Sequence, residues 1–223
     1  MPALLWANRN GFFYALDRRT GKFLYAKPFV KQSWAKGFQP DGRPILDPGG
    51  RPTPGGTVAW PWVGGATNWQ PPSYDAGRGL VFIPAIDTAS LYYASTAESR
   101  EPGQIYRAGA AHTLDDQSVS LGVKAVAVAT GETRWQAELA SGLDVRPTIG
   151  GVLSTDSGLV FVGQDQSFLV LDGDTGKELW RRNLGGGIRA GAIAYSVDGQ
   201  EMIAVMAGRS LFAFSVLLPP EGH

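Results

Sequence analysis

Few side chains in this sequence could do chemistry, and they are scattered along it. Cysteine is absent, which excludes disulfides, thiolate metal sites and a cysteine nucleophile within the chain. His112 is the single internal histidine, and one imidazole without a partner makes neither a metal site nor a catalytic triad. Asp115 and Asp116 could bind a cation, but adjacent carboxylates in a polar stretch are more often solvated. The other candidate carboxylates fall in predicted turns or insertions: Asp75, Asp87, Asp144, Asp156 and Asp165.

A repeated phrase predicts the elements that must position any functional residue. Residues 15–25, 126–135 and 170–180 each read as a short apolar strand ending in a turn built on Thr-Gly. An aromatic residue follows four positions after each glycine: Tyr25, Trp135 and Trp180. The second and third copies are 45 residues apart, within the range of propeller blades. Such a unit cannot cover its own apolar faces, so it must stack on its neighbours.

The residues of the repeated turn predict its conformation and its hydrogen bonds. Gly21, Gly131 and Gly176 stand where a tight turn needs a residue that tolerates positive φ. The carboxylates of Asp17 and Asp172 are suited to accept hydrogen bonds from backbone amides of the same turns. The three aromatic residues are expected to pack between adjacent sheets, because rings locked into a repeat usually supply buried area.

We predict an all-β protein, a partial β-propeller with four-stranded antiparallel blades, because the apolar runs are strand-length and end in turn residues. No glycine-rich loop opens a helix, so the 30 glycines indicate turns and not a nucleotide site.

The predicted domain covers residues 1–217, with a tail at 218–223. Its blade pieces are 3–27, 66–139, 149–183 and 188–217. Residues 36–61 are predicted to be a long surface connection, and residues 96–117 a polar insertion with a possible short helical turn. Because a closed ring needs about four to eight blades, we do not expect this chain to close alone.

Charge and hydropathy exclude several classes of partner. The formal net charge is zero, which argues against nucleic acid as a partner. No apolar run reaches the ~18 residues of a membrane helix. Residues 1–6 lack the basic start and apolar core of a secretory signal peptide.

Three segments resemble the pyrroloquinoline quinone (PQQ) dependent alcohol dehydrogenases. They are residues 5–21, which contain Asn-Arg-Asn-Gly, residues 64–74, which begin Gly-Gly-Ala-Thr-Asn-Trp, and residues 150–161. Their order and spread match the C-terminal portion of an eight-bladed propeller, so the chain would be about half of one. The resemblance implies an enzyme that oxidises an alcohol to the aldehyde, with PQQ and a calcium or lanthanide ion near the propeller axis.

The resemblance also implies roles for three residues. Arg9 resembles the basic residue that hydrogen-bonds the quinone oxygens, Asn68 resembles the amide that contacts the quinone edge, and Trp69 would be a wall of the pocket. The alternatives are a solvated turn residue for Arg9, a turn former for Asn68 and blade packing for Trp69. Ile149 stands where the family usually has an aromatic contact, so it is predicted to be core or a less specific wall of the pocket.

What the family uses for catalysis is expected upstream of this segment. Its catalytic aspartate, its metal ligands and the tryptophan that stacks on PQQ precede the Asn-Arg-Asn-Gly motif, so the isolated chain is expected to be inactive. The expected partners are the missing N-terminal propeller portion, a small alcohol, and a cytochrome c or quinone as electron acceptor. The resemblance implies the periplasm or the periplasmic face of the inner membrane. The alternative is a non-catalytic propeller scaffold for protein assembly.

Overall fold

The computed structural model describes residues 2–95, 102–103, 109–114, 116–146 and 148–215. Apart from one 3-10 turn at Pro48–Gly50, the regular elements of these residues are all β-strands. In chain order they are β1 (Ala3–Ala7), β2 (Phe12–Asp17), β3 (Phe23–Pro28), β4 (Ala35–Phe38), β5 (Pro44–Leu46), β6 (Thr57–Ala59), β7 (Ser73–Asp75), β8 (Leu80–Asp87), β9 (Ser90–Ala94), β10 (Gly109–Thr113), β11 (Val119–Ala127), β12 (Thr133–Gly142), β13 (Ile149–Ser154), β14 (Leu159–Gln164), β15 (Ser167–Asp172), β16 (Glu178–Asn183), β17 (Ile193–Val197), β18 (Gln200–Ala207) and β19 (Ser210–Ser215).

Four antiparallel sheets follow one another along the chain. Sheet I has the order β1-β2-β3, sheet II β12-β11-β8-β7, sheet III β13-β14-β15-β16 and sheet IV β17-β18-β19. Sheets II and III therefore have the predicted four strands, and sheets I and IV have three each among the described residues. Two small sheets, β10-β9-β6 and the β4-β5 hairpin, lie beside them. The all-β prediction is confirmed.

Successive sheets pack face to face through three apolar cores. Strand β8 shows how this happens, because Leu80, Phe82 and Ile86 point into the core shared with sheet III. Its alternate residues Val81 and Ile83 point into the core shared with sheet I. A third core joins sheets III and IV through Phe161, Phe168, Ile203 and Val205 among others. Each large side chain buried in these cores contributes roughly 1.5–3 kcal/mol to folding.

The repeat aromatics join one sheet to the turn of the next. The Tyr25 hydroxyl of sheet I donates to the Val128 carbonyl of the sheet II turn. The Trp135 indole of sheet II donates to the Gly173 carbonyl of the sheet III turn at 3.0 Å. The prediction of packing between sheets is confirmed for both residues. Trp180 follows the last turn and is 40% exposed, with its ring 5.7 Å from that of Phe214 in sheet IV.

The turns themselves have the predicted conformation. Gly21, Gly131 and Gly176 have φ of +72°, +73° and +74°. The Asp17 carboxylate accepts from the amides of Arg19 and Thr20 at 2.8 and 2.9 Å. Asp172 accepts from the amides of Asp174 and Thr175 at 3.1 and 2.8 Å and from the Thr175 hydroxyl at 2.7 Å. The three copies are therefore the same local structure.

The segment 36–61 is more structured than a surface connection. It carries most of β4, all of β5 and β6, and the 3-10 turn, with Gly50, Ala59 and Pro61 buried. Strand β6 pairs with β9, which lies far along the chain, and this long-range pairing leaves no local signal in the sequence.

The insertion 96–117 contains a strand in its described part. Residues 109–113 form β10, which pairs with β9. The possible short helical turn was not assigned to these residues and stays a prediction. Residues 96–101, 104–108 and 115 of this insertion lie outside the described residues, as does the tail at 218–223. Within the described parts of the chain, no helix is long and apolar enough to cross a membrane.

The two terminal sheets expose apolar side chains on their outer faces. Sheet I exposes Leu4 and Trp6, which are 45% and 53% accessible. Sheet IV exposes a larger set: Ile193, Tyr195, Val197, Met206 and Leu211. Contiguous apolar surface of this kind normally packs against a neighbour.

Candidate functional site

Arg9 lies in the tight turn between β1 and β2. The Asn8 side chain accepts from the Asn10 amide at 3.0 Å, and the Asn10 side chain accepts from the Phe12 amide at 3.2 Å. Gly11 completes the turn with φ of +93°. These side-chain to backbone bonds hold the turn locally, so the position of Arg9 is well defined.

The turn that carries Arg9 is docked on the loop between β6 and β7. The Arg9 guanidinium donates to the Val63 carbonyl at 2.7 Å, and the Ala66 amide donates to the Arg9 carbonyl at 2.9 Å. Gly65 permits this approach, because a Cβ there would lie 2.8 Å from the Arg9 Cβ. The second glycine of the Gly-Gly-Ala-Thr-Asn-Trp segment is therefore needed because a side chain at position 65 would collide with Arg9.

Asn68 belongs to the same loop and is exposed. Its side-chain amide donates to the Gly64 carbonyl at 3.1 Å, and its backbone amide donates to the Gln70 side chain at 3.0 Å. Arg9 and Asn68 thus bind the carbonyls of consecutive residues, Val63 and Gly64. The structure brings these two predicted site residues to one loop.

Trp69 follows directly and is 56% exposed. Packing inside a blade was the alternative for Trp69, and that degree of exposure does not agree with it. Ile149 is fully buried in the core between sheets II and III, as predicted. Arg9, Asn68 and Trp69 are therefore all exposed, while Asn68 and Trp69 lie in one loop.

A cavity of about 500 Å³ opens beside Arg9, and we call it the aromatic slot. Its rings belong to four residues that sequence reasoning missed: Trp34, Trp60, Trp62 and Tyr92. Sequence reasoning assigned the stretch that holds Trp60 to a surface connection. The Trp60-Pro61-Trp62 tripeptide was the available signal, since such rings are rarely placed in a solvated loop without a packing role.

The polar tips of three slot residues are bound by backbone carbonyls. The Trp34 indole donates to Asn10 at 2.8 Å, and the Trp62 indole donates to Gly65 at 2.8 Å. The Tyr92 hydroxyl donates to Pro61 at 2.8 Å. The slot therefore offers ring surface, and the charged group at its wall is Arg9.

Charge around the slot is positive. Partial burial raises the pKa of the Tyr92 hydroxyl, and the nearby Arg9 guanidinium opposes this by favouring the anion. The Lys31 ammonium lies 3.4 Å from the centroid of the Trp60 ring. A cation is accordingly a poor ligand for this region.

The scattered carboxylates do not assemble into a metal site. Among the described residues, no group of three or more His, Asp or Glu side chains could hold a metal ion. Asp75 is buried and paired with Arg78 at 3.0 Å, and Asp87 accepts from the Lys31 amide at 3.1 Å. His112 is exposed on β10, and Asp116 is exposed, while Asp115 lies outside the described residues.

Sequence comparison relates this chain to known proteins. Residues 121–217 match the family model described as outer membrane protein assembly factor BamB. The chain is 32% identical to quinoprotein alcohol dehydrogenase PedH of Pseudomonas putida, over 93% of the chain and 36% of that relative. It is 36% identical to quinohemoprotein alcohol dehydrogenase ADH-IIG of Pseudomonas putida, over 92% of the chain and 30% of that relative.

Solved structures agree with the sequence relatives. The quinohemoprotein alcohol dehydrogenase of Comamonas testosteroni superimposes with a TM-score of 0.82 at 27% identity, over 99% of this chain and 37% of that one. A europium-containing methanol dehydrogenase gives 0.79 at 29% identity, over 92% of this chain and 36% of that one. The partial quinoprotein propeller predicted from sequence is thereby confirmed. The chain spans about a third of the length of the curated relatives it matches. Over nearly its whole described length, the chain is homologous to one part of the quinoprotein alcohol dehydrogenases.

Proposed function

We propose that this chain is the C-terminal part of a PQQ-dependent alcohol dehydrogenase and supplies one side of the cofactor pocket. The observation that carries the proposal is the convergence of Arg9 and Asn68 on consecutive carbonyls of one exposed loop. Homology to alcohol dehydrogenases over 93% of the chain supports the reaction class.

The residues of this loop fit a planar, acidic quinone. Arg9 carries a fixed positive charge and has more N–H groups than the one that binds Val63. Asn68 can donate without adding charge, and the exposed Trp69 ring offers an apolar wall. When bound, PQQ would supply the acceptor for the two electrons and two protons that leave an alcohol as it becomes an aldehyde.

Arg9 would stabilise the negative charge that develops on the quinone oxygens as the alcohol is oxidised. Its charge is held in place by the Val63 carbonyl, so little reorganisation is needed when the charge appears. Asn68 would orient the quinone edge. Both residues bind and orient in this proposal, and neither moves a proton.

The metal and the catalytic base are proposed to lie in the remaining part of the propeller. Among the described residues, no three His, Asp or Glu side chains are grouped as they would be around a calcium or lanthanide ion. The exposed apolar faces of sheets I and IV support a larger ring, because sheets with such faces pack against further blades. We also propose a cytochrome c or quinone as electron acceptor and a periplasmic location, on the family resemblance.

Split complementation tests the proposal. The chain would be combined with the segments of quinoprotein alcohol dehydrogenase PedH of Pseudomonas putida that it does not match, in the presence of PQQ and a calcium or lanthanide ion. We expect dye-linked alcohol oxidation from the mixture and none from the chain alone. Robust turnover by the isolated chain would refute the assignment as a part of the enzyme.

Cofactor binding by the reconstituted mixture tests the two residues. Replacing Arg9 or Asn68 by alanine is expected to weaken PQQ binding by roughly tenfold, ~1.4 kcal/mol. Arg19→Ala, in an exposed turn of sheet I, is the matched control and should leave the affinity unchanged. Equal affinity in all three variants would contradict the proposed roles.

A second candidate is a non-catalytic propeller scaffold for protein assembly. It is favoured by the match of residues 121–217 to a family described as an outer membrane assembly factor. A scaffold gives no reason for the Arg9 and Asn68 arrangement. Failure of PQQ binding in the reconstituted mixture, together with stable binding to other envelope proteins, would favour this candidate.

A further inference from the structure

We propose that the groove between the outer edge of β3 and the β4-β5 hairpin binds an extended acidic segment of a partner protein, which adds as a strand to sheet I. We call this cavity of about 330 Å³ the β3 groove, and its lining includes Leu24, Ala26 and Pro28 of β3 and residues 36–38 of β4. It shares no lining residue with the aromatic slot, so the inference does not depend on the proposed cofactor site.

Strand β3 is an edge strand with backbone groups available for pairing. It pairs with β2, and among the described residues no strand pairs with its other side. The Phe29 amide donates to the Gly11 carbonyl just beyond the end of β3. Because the bonds of an antiparallel pair alternate, the backbone of Lys27 faces β2 and that of Ala26 faces outward. An open edge of this kind accepts an extended peptide as an additional strand.

Aromatic rings line the β3 groove. They belong to Phe12, Phe23, Tyr25 and Phe38. The Phe38 ring lies edge to face with Phe12 at 4.9 Å between centroids, and it is stacked on Phe23 at 5.7 Å. Successive side chains of a strand point to opposite faces, so alternate apolar residues of an added strand can contact these rings.

The β4-β5 hairpin distinguishes this edge from the outer edges of sheets II and III, which are β12 and β16. The hairpin turn rests on the first residue of β3, since a Cβ at Gly42 would lie 2.8 Å from Cγ of Phe23. This contact and the ring contacts of Phe38 fix the hairpin beside β3. The edge therefore has a second wall that an added strand can pack against.

Charge decides the class of segment. Residues 1–60 contain nine Lys and Arg and three Asp, so they carry a formal charge of +6 in a chain whose net charge is zero. Lys36 lines the groove, Lys22 precedes β3 and Arg43 follows the hairpin turn. None of the three cations takes part in an ion pair within the described part of the chain. The nearby carboxylates of Asp17 and Asp41 accept backbone amides of their own turns, so an acidic segment complements this surface.

Peptide binding to the chain tests the inference. The probe is a fluorescein-labelled peptide that alternates acidic and apolar residues, Glu-Val-Glu-Phe-Glu-Val-Glu, and fluorescence anisotropy measures its affinity. One matched peptide has lysine in place of every glutamate, and a second has methylated backbone nitrogens, which removes the donors of a strand. We expect the acidic peptide to bind at least about tenfold more tightly than either. Equal affinities, or no binding of the acidic peptide, would overturn the inference.

Two groove variants and one control locate the binding. Lys36→Glu reverses an exposed charge of the groove and should weaken the acidic peptide about tenfold while it strengthens the lysine peptide. Ala26→Pro removes the outward amide of β3, and edge strands tolerate proline at such positions. It should weaken the acidic peptide to the level of the methylated one. Lys177→Glu, at an exposed lysine of the sheet III turn, should leave the affinity unchanged.

Circular dichroism of each variant separates loss of binding from loss of folding. If Ala26→Pro fails to fold, Lys36→Glu and the methylated peptide decide the outcome, and equal affinities of Lys36→Glu and Lys177→Glu would overturn the assignment to the groove. Two other occupants give distinct results. Binding to phosphatidylglycerol vesicles without binding to the peptide would indicate a lipid surface, and competition by the segments of PedH would indicate the rest of the propeller. Either result would overturn the inference, and none of these measurements uses PQQ, so failure of the proposed enzyme and failure of the groove are distinguishable.

Discussion

Trp135 lies across Gly176, the glycine of the next Thr-Gly turn in the chain. A Cβ at Gly176 would stand 2.5 Å from Cε3 of the Trp135 ring. The same indole donates to Gly173, three residues before that glycine. Tyr25 repeats both contacts one sheet earlier, with Gly131 and Val128. The repeated aromatic and the repeated glycine are therefore two halves of one contact between adjacent sheets.

This contact predicts different costs for the same substitution in two repeats. Gly176→Ala and Gly21→Ala both place a side chain at φ near +73°, which costs roughly 1–2 kcal/mol. Gly176→Ala also clashes with Trp135, whereas a Cβ at Gly21 has nothing within 4 Å. We expect Gly176→Ala to lose about 1–3 kcal/mol more than Gly21→Ala. Urea unfolding followed by tryptophan fluorescence measures the difference, and equal losses would show that the ring moves aside freely.

Gly65→Ala should disturb the candidate site. Its Cβ would meet the Arg9 Cβ at 2.8 Å and the Thr67 carbonyl at 2.9 Å, so the Arg9 turn must shift. We expect PQQ binding by the reconstituted enzyme to weaken by roughly tenfold, ~1.4 kcal/mol. Gly79→Ala is the control, because it also has positive φ and has open space around its Cβ. Similar PQQ affinities in the two variants would show that Arg9 does not bind the cofactor.

Arg78 lies in the turn between β7 and β8 and forms two ion pairs, one within sheet II and one to sheet III. It binds the exposed Asp174 at 2.9 Å and Asp75, whose side chain is 3% exposed, at 3.0 Å. Both hydrogen bonds, that of Asp174 first, raise the pKa of Arg78 above its ordinary value. Arg78→Met should destabilise the chain more than Asp174→Ala, since it leaves a buried carboxylate without a cation. Urea midpoints of the two variants provide the test, and a larger loss in Asp174→Ala would reverse this ranking.

The turn held by the Asp172 carboxylate should lose stability at low pH. The Thr175 hydroxyl and amide donate to its carboxylate and hold its pKa below the ordinary value. A depressed folded pKa stabilises the fold above the unfolded pKa of about 3.9, and that contribution is lost as the pH falls through the folded pKa. The urea midpoint of the wild type should therefore exceed that of Asp172→Ala by a constant amount from pH 5 to pH 7.

The same difference should shrink as the pH falls below about 4. Asp116→Ala, at an exposed carboxylate, serves as the control and should change the midpoint little at any pH. A difference between the wild type and Asp172→Ala that persists unchanged at pH 2 would show that the carboxylate charge does not hold the turn.

Local patterns carried the prediction of the sheets. The strand runs, the Thr-Gly turns and the spacing of Tyr25, Trp135 and Trp180 are short-range features, so they predicted the repeat and the way that its sheets stack. The small sheet of β6, β9 and β10 was missed, because its partners are distant in sequence and its strands are short and only partly apolar. A proline-rich segment gave no sign that it would pair.

The sequence by itself determined the repeating sheet and its turns, because each depends on neighbours within a few positions. Arg9 and Asn68 were predicted from the family resemblance of their segments, and their role stays a proposal. Only the tertiary structure decided that Arg9 and Asn68 bind neighbouring carbonyls of one loop and that Trp34, Trp60, Trp62 and Tyr92 surround one cavity. The physical reason is that those rings come from segments up to 58 residues apart and meet through backbone carbonyls, which every residue has alike. Because every residue has a backbone carbonyl, the sequence does not show which carbonyl a given indole or hydroxyl will bind.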